Sequence, residues 1–168
     1  MNAKTVRRIV DVGMLGLGIV STLILCAIVA INGVNVVGRY VFSAPISWGE
    51  EVMLFLMIVS VFIAFPAVTW DGAHVRMDFL AQALPHGVRR GLVALADLIS
   101  LGVVALLVYV SVPFVLQFAE FDQRSNAAGI PLALPHAAIP LGFALAALAL
   151  VARELSGKAA EHAAARPE

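Results

Sequence analysis

Apolar residues in this chain come in long unbroken runs, neither alternating nor confined to narrow helical stripes. Four stretches carry no charged side chain: Val12–Gly38 with 27 residues, Val52–Trp70 with 19, Leu98–Ala119 with 22 and Ser125–Ala152 with 28. Crossing a hydrocarbon layer about 30 Å thick takes about 20 helical residues, which each stretch supplies. Backbone groups find no water at that depth, so each run must satisfy its own hydrogen bonds as a helix; the alternation of a closed barrel is absent. The pattern predicts an all-α integral membrane protein with four transmembrane helices, over about 12–38, 52–70, 92–119 and 130–152. Residues 1–168 read as a single membrane domain, with the alanine-rich, charged stretch 156–168 expected to be a frayed tail.

Composition agrees. The chain is 61% hydrophobic and 13% charged, with a mean hydropathy of +0.97, where soluble domains are about 45–50% apolar and about 25% charged. Eleven basic and eleven acidic residues cancel, leaving no net field to attract a nucleic acid. Cys26 is the sole cysteine, which excludes an internal disulfide and any multi-cysteine redox or metal centre. Lys4, Arg7 and Arg8 ahead of an apolar run resemble a secretory leader. The run is too long for one, however, and no small-residue cleavage site closes it, so it reads as an uncleaved first span.

The placement of the basic residues sets an orientation. Lys4, Arg7 and Arg8 precede the first span, Arg76, Arg89 and Arg90 lie in the second connection, and Arg153, Lys158 and Arg166 follow the last span. The other two connections hold only Arg39 and Arg124. By the positive-inside rule both termini and the middle connection are expected in the cytoplasm. Trp48 and Trp70 bracket the second span, as rings seated at its two interfaces would. In the middle connection Met77, Leu80, Ala81 and Leu84 share a helical face, so a short amphipathic helix on the inner membrane surface is expected there.

Candidate chemistry is sparse. Ser47 followed by Glu50 fits a capping box, and Glu51 adds negative charge at the positive end of the second helix. Glu50 and Glu51 also read as an ion or proton site, but a capped helix start with Arg39 as counter-ion is the simpler account. Asn32, Asn35 and Arg39 form one polar stripe, which should face another helix of this chain or of a partner. Asp97 is the deepest acid, and Arg90, seven residues earlier on the same face, is its expected partner at the interface. His136 is expected to bond a backbone carbonyl freed by Pro131, Pro135 or Pro140. Gly13, Gly16 and Gly18 permit close helix approach, within the chain or in an assembly. His74, His86, His136 and His162 include no pair at i, i+4 within a span, so haem and metal sites lack ligands. No nucleophile triad, HExxH motif, P-loop or dinucleotide fingerprint occurs. The reading is of a non-enzyme without a cofactor.

Two clusters carry a resemblance. Gly38-Arg39-Tyr40-Val41-Phe42 with Pro45-Ile46-Ser47-Trp48-Gly49-Glu50-Glu51, and Asp71-Gly72-Ala73-His74-Val75-Arg76-Met77-Asp78 with Leu84-Pro85 and Arg89-Arg90, flank the second span. Together they resemble the small membrane subunit (DctQ-like) of tripartite ATP-independent periplasmic (TRAP) transporters, with its Trp-x-Glu-Glu entry and Gly-x-His-x-x-x-Asp segment. The chain departs from the family at Ile63-Ala64-Phe65-Pro66 and at Trp70-Asp71 before Gly72, which bears on local packing. The resemblance implies a scaffold in the bacterial inner membrane that braces a large membrane subunit. That subunit imports an organic acid with sodium, supplied by a periplasmic binding protein. It also implies structural or partner-contact roles for Asn32, Asn35, Arg39, Tyr40, Trp48, Glu50, Glu51, His74 and Asp78, with membrane lipid as the surroundings. The competing reading is an autonomous four-helix, proton-coupled transporter using Asp97.

Overall fold

The computed structural model describes residues 3–44, 46–71 and 86–155. The expected amphipathic helix of the middle connection and the tail from Ser156 lie outside the described residues. Four helices are present: α1 (Ala3–Val41), α2 (Gly49–Trp70), α3 (His86–Glu120) and α4 (Ala133–Leu155). Each contains a segment long and apolar enough to cross a membrane, so the chain is a multi-pass membrane protein.

The helices do not close into a bundle. Among the described residues α1 packs on α2, α2 on α4 and α4 on α3, with no α1–α3 contact. The result is an open row in the order α1, α2, α4, α3. Its core is thin: among the described residues Trp70, Val104, Ala146, Ala149 and Leu150 are the buried apolar ones. The central contact rests on a proline and a glycine. Pro66, inside α2, has no N–H to offer the carbonyl of Phe62 four residues back. Gly142 of α4 abuts that same carbonyl so closely that a Cβ at 142 would collide with it. Phe143 then stands edge-on to Phe62 and Phe65, at centroid distances of 5.1 and 5.4 Å, a favoured aromatic geometry. Gly13, Gly16 and Gly18 of α1 serve no comparable contact: among the described residues a Cβ at any of them would meet nothing within 4 Å.

The connections at one end of the row are tightly built. Ser43 leaves α1 in the left-handed region (φ 52°), and the Ala44 amide bonds the Gly38 carbonyl at 2.9 Å. Helix α3 stops in a Schellman arrangement: the Gln123 amide donates to the Phe118 carbonyl at 3.1 Å and the Asp122 amide to that of Ala119 at 3.3 Å. Asp122 takes the left-handed position (φ 41°) that such a stop requires. The α3–α4 loop folds back on itself through Ser125 and Ile130, 2.9 Å apart from amide to carbonyl, and turns at Gly129 (φ 65°).

Candidate functional site

Polar side chains that must sit at membrane depth settle in pairs, because hydrocarbon offers them no alternative partner. In this row they form two transverse seams, one at each end of the helices.

The first seam joins all four helices where α1 begins and α2 ends. Trp70 of α2 is fully buried and its indole N–H donates to Asp11 of α1 at 2.6 Å. One residue earlier, the Thr69 carbonyl accepts from Arg153 of α4 at 3.5 Å. The same guanidinium donates to the Asp97 carboxylate of α3 at 2.8 Å, with side-chain exposures of only 4% and 11%. Asp97 thus has a partner across the helix interface, because α4 brings a buried cation to its side; the side chain of Arg90, its expected partner, lies outside what the structure describes. Trp70, expected as a ring at the membrane interface, is turned inward as a buried hydrogen-bond donor.

The second seam lies at the Arg39 end. Arg39 pairs with Glu50 at 2.5 Å, both side chains about half exposed. Asn35, buried in α1, accepts the Ile46 amide at 3.0 Å and so fixes the α1–α2 connection. Glu51 turns away from Arg39 and reaches the α3–α4 loop instead. Its two carboxylate oxygens accept the amides of Asn126 and Ala127 at 3.1 Å and of Ala128 at 2.8 Å. Successive loop amides pointing at one anion form a nest. The expected grouping of Arg39, Glu50 and Glu51 therefore divides, with Glu51 tying α2 to a distant loop. The capping box is also absent: Trp48 occupies the N-cap position of α2 and no side chain caps it, since both acids are engaged elsewhere.

Between the seams Ser21 of α1 and Ser60 of α2 exchange hydrogen bonds. Their hydroxyls are 2.9 Å apart, and the Ser60 and Ser21 carbonyls stand 2.9 and 3.2 Å from the opposite hydroxyl, so each hydroxyl proton has an acceptor on the other helix. His136 bonds the Leu132 carbonyl at 2.7 Å, within its own first turn. That carbonyl is not one that Pro131, Pro135 or Pro140 strands, so the expected reason for the bond is replaced by a local one. Phe118 of α3 packs on the His136 ring at 4.9 Å.

Of the remaining candidate residues, Asn32, Tyr40 and Trp48 are exposed, and His74 and Asp78 lie outside the described residues. Among the described residues no cluster of three metal-ligating side chains occurs. Asp11, Ser21, Ser60, Thr69 and Arg153 were not singled out from sequence, although Asp11 and Arg153 end the two longest uncharged stretches. A charge at the limit of an apolar run is the available signal for such a tie.

Comparison with known proteins decides the family. Residues 28–158 match the family described as tripartite ATP-independent periplasmic transporters, DctQ component. The chain belongs to this family. It is 32% identical over 109 residues to the ectoine TRAP transporter small permease protein TeaB of Halomonas elongata, covering 65% of this chain and 56% of that protein. It is 24% identical over 116 residues to the isethionate TRAP transporter permease protein DctMQ of Oleidesulfovibrio alaskensis, covering 69% of this chain and 18% of that protein. The chain thus spans about half the length of the first relative and under a fifth of the second. The DctQ assignment coincides with the resemblance carried by the residues around α2.

Proposed function

We propose that this DctQ-family chain is the small permease subunit of a TRAP transporter and acts as a non-catalytic brace. It would stiffen the static part of a large membrane subunit during sodium-driven import of an organic acid delivered by a periplasmic binding protein. The observation that carries this reading is the pair of polar seams, which tie an open row of helices into one unit at both ends. Among the described residues the open row encloses no path for a substrate, yet it offers long apolar flanks to a partner. The isethionate relative, a permease named for both components that this chain matches over 18% of its length, supports a larger membrane partner. In the proposed orientation the Asp11 end faces the cytoplasm of a bacterial inner membrane and the Arg39 end faces the periplasm, as the basic residues favour.

The proton-coupled alternative required an available acid at depth. Asp97 is instead engaged by the buried Arg153 of α4 at 2.8 Å, a structural tie between helices. The test is reconstitution. The chain alone in liposomes under a sodium or proton gradient should take up neither organic acids nor cationic dyes, and adding the large subunit and binding protein should produce uptake. Gradient-driven uptake by the lone chain, abolished by Asp97→Asn, would overturn the proposal.

A further inference from the structure

Helix α3 ends the row, and among the described residues only α4 packs on it. Its buried and half-buried positions recur three and four residues apart, at Val104, Val108, Ser111 and Val115, and mark the side that meets α4. Gly102, Leu106, Tyr109 and Pro113 lie on the opposite side, all exposed. Tyr109 is 78% exposed and stands at the centre of the uncharged run Leu98–Ala119. About 17–18 Å of helix separates it from the charges at either end, too far for a phenol to snorkel to an interface. Among the described residues its hydroxyl has no hydrogen-bond partner. Pro113 adds a second polar demand, since it has no N–H for the Tyr109 carbonyl four residues back.

The outer edge of α1 makes no such demand. Leu15 and Val29 are exposed there, and Thr22 between them turns its hydroxyl to the Gly18 carbonyl at 2.9 Å. Asn32, the exposed amide of α1, stands one turn before Asn35, close to the α1–α2 connection and the interface. The α1 edge therefore suits lipid tails. The α3 edge sets a donor and an acceptor on one residue at mid-bilayer, where hydrocarbon satisfies neither. We infer that this edge is covered by the same edge of a second copy of the chain, the two α3 helices crossing at Tyr109. Two chains inserted the same way carry residue 109 at the same depth, so a two-fold axis along the membrane normal sets Tyr109 against Tyr109. Each hydroxyl can then donate to the carbonyl or the hydroxyl of the other. Gly102, two turns away on this edge, lets the backbones approach, since a Cβ there would meet nothing within 4 Å.

The pairing leaves the faces of the row and the α1 edge to a large subunit, so it does not rest on the bracing role. In a Cys26→Ser background, the full chain carrying Leu106→Cys is oxidised in its own membrane and compared with one carrying Val29→Cys on the α1 edge. Leu106→Cys should give a disulfide-linked dimer, and Val29→Cys should give none above background. Tyr109→Phe, which removes only the hydroxyl, should lower the dimer fraction severalfold, and Gly102→Phe should do the same by holding the backbones apart. Equal cross-linking at the two positions, or a dimer fraction that Tyr109→Phe leaves unchanged, overturns the proposal. So does replacement of the dimer, when the large subunit is co-expressed, by a photo-cross-link from position 106 to that subunit, since the edge then belongs to a helix of the partner.

Discussion

The carboxylate of Asp97 and the guanidinium of Arg153 meet at 2.8 Å between α3 and α4, both almost wholly buried. Removing one member leaves a buried charge uncompensated, at a cost of about 3–5 kcal/mol, whereas replacing both by apolar groups is often neutral. Asp97→Leu and Arg153→Met should each lower the unfolding midpoint in detergent markedly, and the double variant should recover most of the loss. Single variants that unfold with the unaltered chain would show that the pair carries no stability.

The α2–α4 contact should be intolerant of one methyl group. Gly142→Ala drives a Cβ into the Phe62 carbonyl, and overpacking of this kind costs about 1–3 kcal/mol. Gly18→Ala meets open space and should be near neutral. Thermal unfolding of the two variants in the same detergent provides the comparison, and a Gly142→Ala chain as stable as Gly18→Ala would contradict the close approach.

At the Arg39 end the buried amide should matter more than the ion pair. Arg39 and Glu50 are 48% and 63% exposed, so Arg39→Ala should cost about 0–1 kcal/mol. Asn35→Ala leaves the Ile46 amide without its acceptor in a shielded site, a loss of about 1–3 kcal/mol. The expected order in an unfolding titration is therefore Asn35→Ala well below Arg39→Ala. The reverse order would place the tie on the surface pair.

Glu51 should control the α3–α4 loop through its three backbone contacts. In Glu51→Ala the amides of Asn126, Ala127 and Ala128 lose their common acceptor and should exchange hydrogen with solvent faster, while those of the α4 core keep their protection. Unchanged exchange at 126–128 would mean that the nest closes without Glu51.

The proposed sidedness rests on the basic residues and is testable with cysteines after replacement of Cys26. Cysteines at Ser43 and Gln123, both exposed beside helix ends, should react with an impermeant thiol reagent applied from the periplasmic side. Labelling of a cysteine at Gly87 in their place would reverse the orientation.

The four spans were legible because an uncharged run of about 20 residues has few structures open to it in a membrane. The ties between spans were not. The Asp97–Arg90 expectation used spacing along one helix, which gives no sign of Arg153, 56 positions away on another. Glu50 and Glu51 look equivalent in sequence, yet a rotation of about 100° per residue sends one toward Arg39 and the other toward the α3–α4 loop. Trp70 was read as an interfacial ring because composition gives no sign that Asp11, 59 positions earlier, lies within reach. Gly13, Gly16 and Gly18 left close approach open within the chain or in an assembly, and among the described residues α1 sits at the edge of the row with α2 alone beside it.

The open row also has a consequence for biogenesis. Helices α1 and α2 are joined by a short connection and share the Ser21–Ser60 exchange, while α3 and α4 are a second hairpin with its own loop. The first hairpin can leave the translocon complete before the second is synthesised, and the late event is then the arrival of Gly142 against the carbonyl that Pro66 has left exposed. Two fragments, 1–78 and 79–168, co-expressed from separate messages, should accordingly reassemble in the membrane. A Gly142→Ala change in the second fragment should block their pairing without hindering the insertion of either.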